Sequence, residues 1–326
     1  MDGGTLSIKF KTLFYYLKRE PIDRRAMTKT SMAALGPLSS QADDPAPCFT
    51  VAAQAAPLPI VFDSPHSGIA LPDDFGTVAP REAILTTWDA FVDELWTGVP
   101  AHGGTLIGAR FPRAYIDPNR AVTDIDAELL AEPWPEPLVP EPYTLRGMGL
   151  IRRYALPGVP LYDRKLPIAE VRHRIDAYYQ PYRAALREAA DAAYARHGAL
   201  WHVNCHSMKS RGNAMNVDAG EARPDLVVSD RRGTTSDPAF TQWVADHFAA
   251  AGYRVQINEP YQGGDLLRAV SDPARRRHSI QIELNRALYM DEAAFAKHAG
   301  FDTLKRDLDA FAAALAAYVR AQLEAQ

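Results

Sequence analysis

Cysteine is scarce in this chain: Cys48 and Cys205 are the two that occur. Two thiols build no disulfide framework, so a reducing cytoplasm is the expected compartment. Positive charge is not in excess either. The formal net charge of −4 at pH 7 argues against a nucleic-acid partner, which calls for a basic stripe. No apolar run is long enough to cross a bilayer, so no membrane partner is expected. The sequence also lacks Gly-x-Gly-x-x-Gly, a phosphate-binding Gly-rich loop and Cys-x-x-Cys, which speaks against nucleotide and iron–sulfur chemistry. Ser67 is not framed by the Gly-x-Ser-x-Gly elbow of a nucleophilic serine. No internal repeat is present.

What is present suits one α/β domain with a separate leading segment. Residues 1–45 open with Lys9, Lys11, Lys18, Arg19, Arg24 and Arg25 and pass into a Ser/Ala/Pro-rich stretch. The reading is a disordered extension, or a start upstream of the true initiator at Met27 or Met32. Residues 46–326 are expected to form a single domain. Short β-branched runs predict strands over 59–63, 104–109, 114–117, 200–205, 225–229, 253–257 and 278–284. Helical spacing predicts helices over 81–97, 167–196, 237–251 and 301–324. That alternation implies a three-layer α/β/α domain with a central mixed sheet. The Pro- and Gly-rich stretch 131–160 reads as a long surface excursion of the kind that carries function.

Ligands of α/β sheets bind beyond the C-terminal ends of the strands, and several strands here end in reactive residues. The first ends in Ser64-Pro65-His66, another in Asp117-Pro118-Asn119-Arg120, and a third in His206-Ser207-Met208-Lys209. Strand side chains alternate, so His202, Asn204 and His206 share one face and Trp201, Val203 and Cys205 the other. Cys205 is thereby a small core residue and not a partner of His206. Imidazole is the commonest transition-metal ligand, and His66 and His206 at two strand ends form a candidate pair. A third ligand can come from Asp89 or Asp93, which at i and i+4 share a face of the helix expected over 81–97. The alternative for these two is an ordinary solvated helix face. Glu283 lies inside the apolar run Ser279-Ile-Gln-Ile-Glu-Leu284. It is either a general base beside a metal-activated water or the partner of Arg286 or another arginine in a salt bridge. Arg120, Arg152, Arg153, Arg231 and Arg232 offer guanidinium forks for a small anionic substrate. Gly263-Gly264 reads as a lid hinge or a plain turn.

Together these segments are specific. SPHSG, WDAFVDELW, FPRAYIDPNRA, GMGLIRR, HVNCHSMKS, VVSDRRGT, NEPYQGG and HSIQIELNRALYMDE occur in the order seen in the N-formylglutamate amidohydrolase family. Over about residues 58–295 the chain resembles that family. The resemblance implies a phosphorylase/hydrolase-like fold akin to zinc carboxypeptidases and aspartoacylases, with Zn2+ as cofactor. It implies hydrolysis of an N-acyl amino acid such as N-formyl-L-glutamate, to formate and glutamate. It makes His66 and His206 zinc ligands, with Asp89 or Asp93 as the acidic one, and Glu283 the general base. Arg120, beside Asn119, matches a carboxylate-binding arginine. Arg152, Asp230, Arg231 and His278 match recurrent positions: Arg152 and Arg231 for substrate carboxylates, Asp230 at the substrate, and His278 or an arginine for the oxyanion. The helix segment and the region around 124–150 depart from the type enzymes, so the class of reaction carries over further than the substrate. A different amide, ester or peptide-terminal bond, or a silent metal- or ligand-binding relative, are the competing readings.

Overall fold

The computed structural model describes residues 47–325; the expected extension 1–45 lies outside them. The central sheet gathers β1 (Phe49–Ala52), β2 (Ile60–Ser64), β3 (Thr105–Ala109), β6 (Leu200–Met208), β7 (Leu226–Ser229), β8 (Val255–Ile257) and β9 (Arg277–Asn285). Its seven strands run in the order β1-β3-β2-β6-β9-β7-β8. The middle four, β3-β2-β6-β9, are parallel, while β1 and β7 are antiparallel to their inner neighbours. The sheet is therefore mixed, as expected. Parallel strands place all their C-terminal ends on one edge, and crossover helices must cover both faces.

They do so. On one face lie α2 (Val92–Leu95), α5 (Pro238–Ala250) and α7 (Gly300–Glu324), packed on Phe62, Trp201, Val203, Ile280 and Ile282. Helix α7 presents Leu304, Leu308, Phe311, Leu315 and Val319 at helical spacing, and all five are buried. Each such side chain stabilises the fold by roughly 1.5–3 kcal/mol through area removed from water. On the other face lie α3 (Ile168–Arg174), α4 (Gln180–His197) and α6 (Asp265–Val270), with Tyr179, Tyr182, Leu186 and Ala190 against Val61 and Leu200. Helices α3 and α4 join through a π-helical turn over Ile175–Tyr179, just ahead of Pro181, which donates no backbone hydrogen bond. The remaining elements are small: α1 (Arg81–Leu85) and the hairpins β4–β5 (Tyr154–Leu156, Val159–Pro160) and β10–β11 (Met290–Asp291, Ala296–Lys297). Among the described residues no helix is long and apolar enough to cross a membrane.

Two expectations fail locally. The run 114–117 is a buried turn, not a strand: Tyr115 N donates to Pro112 O at 2.9 Å, and prolines at 112 and 118 withhold ladder donors. The helix expected over 81–97 is broken into α1 and α2. Between them the chain is drawn to the loop after β2, where Asp89 N donates to His66 O at 3.1 Å and Trp88 Nε1 to Ser67 O at 2.7 Å. Phe91 then turns through the left-handed region at φ 62° to start α2.

Candidate active site

Just past β2, the chain turns sharply. Pro65 holds Ser64 extended, and Gly68 passes so close to the next strand's end that a Cβ there would sit 2.2 Å from the carbonyl carbon of Arg110. His66 is thereby fixed at the sheet edge, 1% exposed. Its Nε2 lies 2.7 Å from Asp117 Oδ1. Burial works to raise the Asp117 carboxyl, but Arg113 and His66 hold it well below the usual carboxylate range. An ionised carboxylate only accepts, so Nε2 carries the proton and Nδ1 bears the lone pair. On β6 the same logic repeats. Asn204 Nδ2 donates to Asp63 Oδ1 at 2.7 Å, which fixes the amide. Its Oδ1 lies 2.7 Å from His206 Nε2, closer than Asn119 Nδ2 at 3.0 Å, so Nε2 is assigned as the donor to Asn204 and His206 Nδ1 as the lone-pair atom.

Those two lone pairs point at each other. His66 Nδ1 and His206 Nδ1 are 3.0 Å apart, and Asp89 Oδ2 lies 2.9 Å from the second and 3.4 Å from the first. Three acceptors cannot satisfy one another without a cation between them. Ligands at 2.0–2.2 Å around a tetrahedral ion stand about 3.3 Å apart, so this triangle fits one divalent ion. His66, Asp89 and His206 are the group among the described residues whose ligand atoms meet this closely. Burial works to raise the Asp89 carboxyl, but the adjoining His206 and His66 rings and the charge of Arg113 hold it well below the usual range. Arg286 Nη2 braces its other oxygen at 3.0 Å.

Asp93 is not brought to the cluster. With the helix broken at Asp89 the two aspartates no longer share a face. Asp93 is the second residue of α2, where its backbone N donates to Ser67 Oγ at 3.2 Å, and burial pushes its carboxyl up. The salt bridge considered for Glu283 is not formed either, because Arg286 is spent on Asp89 and Ser207. Instead Glu283 stands directly opposite His206 in the β6–β9 ladder, on the same face. It is buried, and its Oε1 accepts from Gln281 Nε2 at 2.9 Å. Burial pushes its carboxyl up; the neighbouring His206 opposes and Asp89 adds to the rise. A carboxyl tuned upward binds a proton more readily, which suits a group that takes and returns one.

His278 is placed elsewhere. It precedes Glu283 by five residues on the same strand, so it faces the opposite side near the other end. There it packs on Trp201 and Phe240 and accepts from Asp237 N at 3.2 Å. An oxyanion role is therefore not open to it. Asp230 is also structural in its contacts: its carboxylate accepts from Thr241, Asn258 and the Gly233 N–H, bracing the turn that presents Arg231.

A cavity of about 470 Å³ opens over the triangle, lined by Arg120, Arg152, Arg231 and Glu283 among others. The 131–160 excursion supplies Glu141, Tyr143 and Arg152 to its wall, and Gly263-Gly264 line it as well. Arg120 stacks over Tyr143, with its guanidinium carbon 5.0 Å from the ring centre, and keeps a 3.4 Å contact to Glu141. Arg231 donates to the Gly263 carbonyl at 2.8 Å. Asn119 turns inward: its Oδ1 accepts from Leu266 N and its Nδ2 donates to Asn204 Oδ1. Its amide positions the His206 arm and is not free for a substrate. Sequence reasoning passed over Arg113, which clamps Asp117 at 2.7 Å and reaches to 3.9 Å from Asp89 Oδ1. Its i,i+4 spacing to Asp117 was the available signal.

The family model for N-formylglutamate amidohydrolase matches residues 58–290. The chain belongs to the N-formylglutamate amidohydrolase family. Curated N-formylglutamate deformylases of Pseudomonas putida and Pseudomonas aeruginosa are 28% identical over 239 residues and 29% identical over 242 residues. These alignments cover 72% and 73% of this chain and 83% and 84% of those proteins. The solved N-formylglutamate amidohydrolase from Ralstonia eutropha JMP134 superposes with a TM-score of 0.80 at 46% identity, covering 84% of this chain and 99% of that one. A protein of Agrobacterium tumefaciens, 17% identical with a TM-score of 0.59 over 85% of this chain and 96% of that one, shares the fold. Membership in the family makes the chain a hydrolase of an amide C–N bond.

Proposed function

We propose that this protein is a zinc-dependent deformylase of N-formyl-L-glutamate or a close N-acyl relative. The observation that carries the reading is the convergence of the three lone-pair atoms of His66, His206 and Asp89, with Glu283 on the adjoining ladder position. The two imidazoles and one carboxylate are a suitable donor set for zinc with one position open. A zinc ion held there supplies Lewis-acid polarisation of the carbonyl and acidifies water.

The chain's own residues do the rest. Arg120, held over Tyr143 at the cavity wall, binds the amino-acid carboxylate and fixes the formyl carbon beside Glu283. Glu283 takes one proton from water as the hydroxyl oxygen attacks that carbon. Arg113, anchored by Asp117, holds positive charge beside the triangle and stabilises the oxygen on which negative charge develops. The C–N bond then breaks, and Glu283 gives its proton to the departing amine. Formate and glutamate are the products. Arg231 stands across the cavity as a further cation for the substrate.

The test is amine release from a panel of N-formyl and N-acetyl amino acids by zinc-loaded protein, with a chelated control and the His206→Ala protein. Chelator-sensitive release from N-formylglutamate, lost in the variant, is the expected result. Release from another member alone reassigns the substrate. No release with zinc bound overturns the reading in favour of a different bond or a silent relative.

A further inference from the structure

The cations around the cavity are not equivalent. Arg113, Arg223 and Arg286 each hold a carboxylate, on Asp117, Asp218 and Asp89. Three others hold none: Arg231, which donates to backbone carbonyls, and two whose side chains meet no acceptor among the described residues. Arg152 is 8% exposed and aimed into the cavity, yet its Nε has no hydrogen-bond partner and no carboxylate of the described residues lies within ion-pair distance of it. Lys209, three residues past His206 and just after β6, lines the same cavity and likewise meets no hydrogen-bond acceptor among the described residues. A buried, unpaired guanidinium beside a second unpaired cation is costly in the free protein. The same arrangement favours an anion with two oxygens to share.

We propose that Arg152 and Lys209 form a second anion subsite, which takes the distal carboxylate of a dicarboxylic N-acyl amino acid while Arg120 takes the α-carboxylate. The assignment rests on the cavity being the amidohydrolase substrate site. Arg231, whose Nη1 already donates to the Gly263 and Gly264 carbonyls at 2.8 and 3.4 Å, is the poorer candidate. The electrostatics agree. Burial pushes the Lys209 ammonium down to about 8, with the charges of Arg286 and Arg152 adding to the fall. An arriving carboxylate relieves that crowding, whereas the neutral amide of a glutamine side chain does not. Selectivity for a second negative charge then comes from leaving two cations unpaired whenever it is missing.

Two measurements on the full chain test the subsite separately from the chemistry. In calorimetry, glutarate should bind at least about ten times more tightly than butyrate, and Lys209→Met should remove most of that preference. In kinetics, the ratio of kcat/KM for N-formylglutamate over N-formylglutamine should fall by on the order of 10- to 100-fold in Lys209→Met and recover in Lys209→Arg. Arg152→Met should act in the same direction; if that variant fails to fold, the half-buried Lys209 still decides the matter. A glutarate preference lost in Lys209→Met, in a protein that hydrolyses neither formyl compound, keeps the subsite and overturns the proposed reaction. Equal binding of glutarate and butyrate, or a kinetic ratio unmoved by both substitutions, overturns the subsite.

Discussion

His66 Nδ1 and His206 Nδ1 face each other across 3.0 Å, and neither is the protonated nitrogen of its ring. Asp117 and Asn204 take the protons on the far sides. The rings are thus oriented by partners behind them, as metal-bound imidazoles are, and the space between them calls for positive charge.

Metal loading should therefore stabilise the fold. Zinc at about 100 times its dissociation constant should add about 2.7 kcal/mol by mass action. Differential scanning calorimetry with and without chelator should show a clear rise in Tm, with about one zinc per chain as a single three-ligand site requires. His206→Ala should lose both the rise and the metal. A variant that keeps a full zinc complement would place the ion elsewhere.

Glu283→Gln keeps size and hydrogen bonding but cannot take a proton. Zinc content should stay unchanged while kcat falls by on the order of 10³-fold or more. Metal analysis on the same preparation used for kinetics separates the two effects; an active variant would remove Glu283 from proton transfer.

Asp63 is fully buried and accepts from His202, Asn204 and Tyr182. Burial works to raise its carboxyl, but hydrogen bonds from His202 and Asn204 bring it below its ordinary value. A carboxylate lowered on folding contributes stability that is present above the unfolded pKa near 3.9 and lost as pH falls through the folded value. Denaturant unfolding at a series of pH values below about 4.5 should show a stability loss of up to roughly 1.4 kcal/mol per pH unit from this group. Asp63→Asn should flatten that slope, and should weaken zinc binding about 10- to 100-fold because Asn204 loses its anchor. An unchanged slope would show that Asp63 does not titrate as argued.

Gly264 packs against the amide that steadies Asn204. A Cβ there would stand 2.3 Å from Asn119 Oδ1 and 2.4 Å from its Nδ2. Gly264→Ala should push Asn119 off Asn204, lowering kcat and zinc affinity several-fold, while costing about 1–3 kcal/mol in stability for overpacking. Chelator competition and urea unfolding on one sample read both. Normal zinc affinity in a folded Gly264→Ala protein would separate Asn119 from the metal arm.

Much of the site was legible along the chain because it obeys local rules. Alternation on β6 put His202, Asn204 and His206 on one face before any fold was known, and strand ends pointed to the right edge of the sheet. Glu283 stood out as a carboxylate inside an apolar strand. What could not be read was which neighbour each polar group would meet. Asp89 and Asp93 looked alike on an ideal helix, and only hydrogen bonds from a loop more than twenty residues away broke that helix and delivered Asp89. His278 carried the same motif as Glu283 but faces the opposite side of the sheet.

The sequence by itself determined the layered α/β architecture, the family and the cast of reactive residues, because periodicity and ordered motifs are properties of adjacent positions. The tertiary structure alone decided the ligand triangle, the proton positions on the two histidines and the pair of cations left without partners. Those depend on contacts between residues as far apart as His66 and His206 and Asp89 and Arg286. Only the parallel pairing of β2, β6 and β9 at one sheet edge brings them within hydrogen-bond reach.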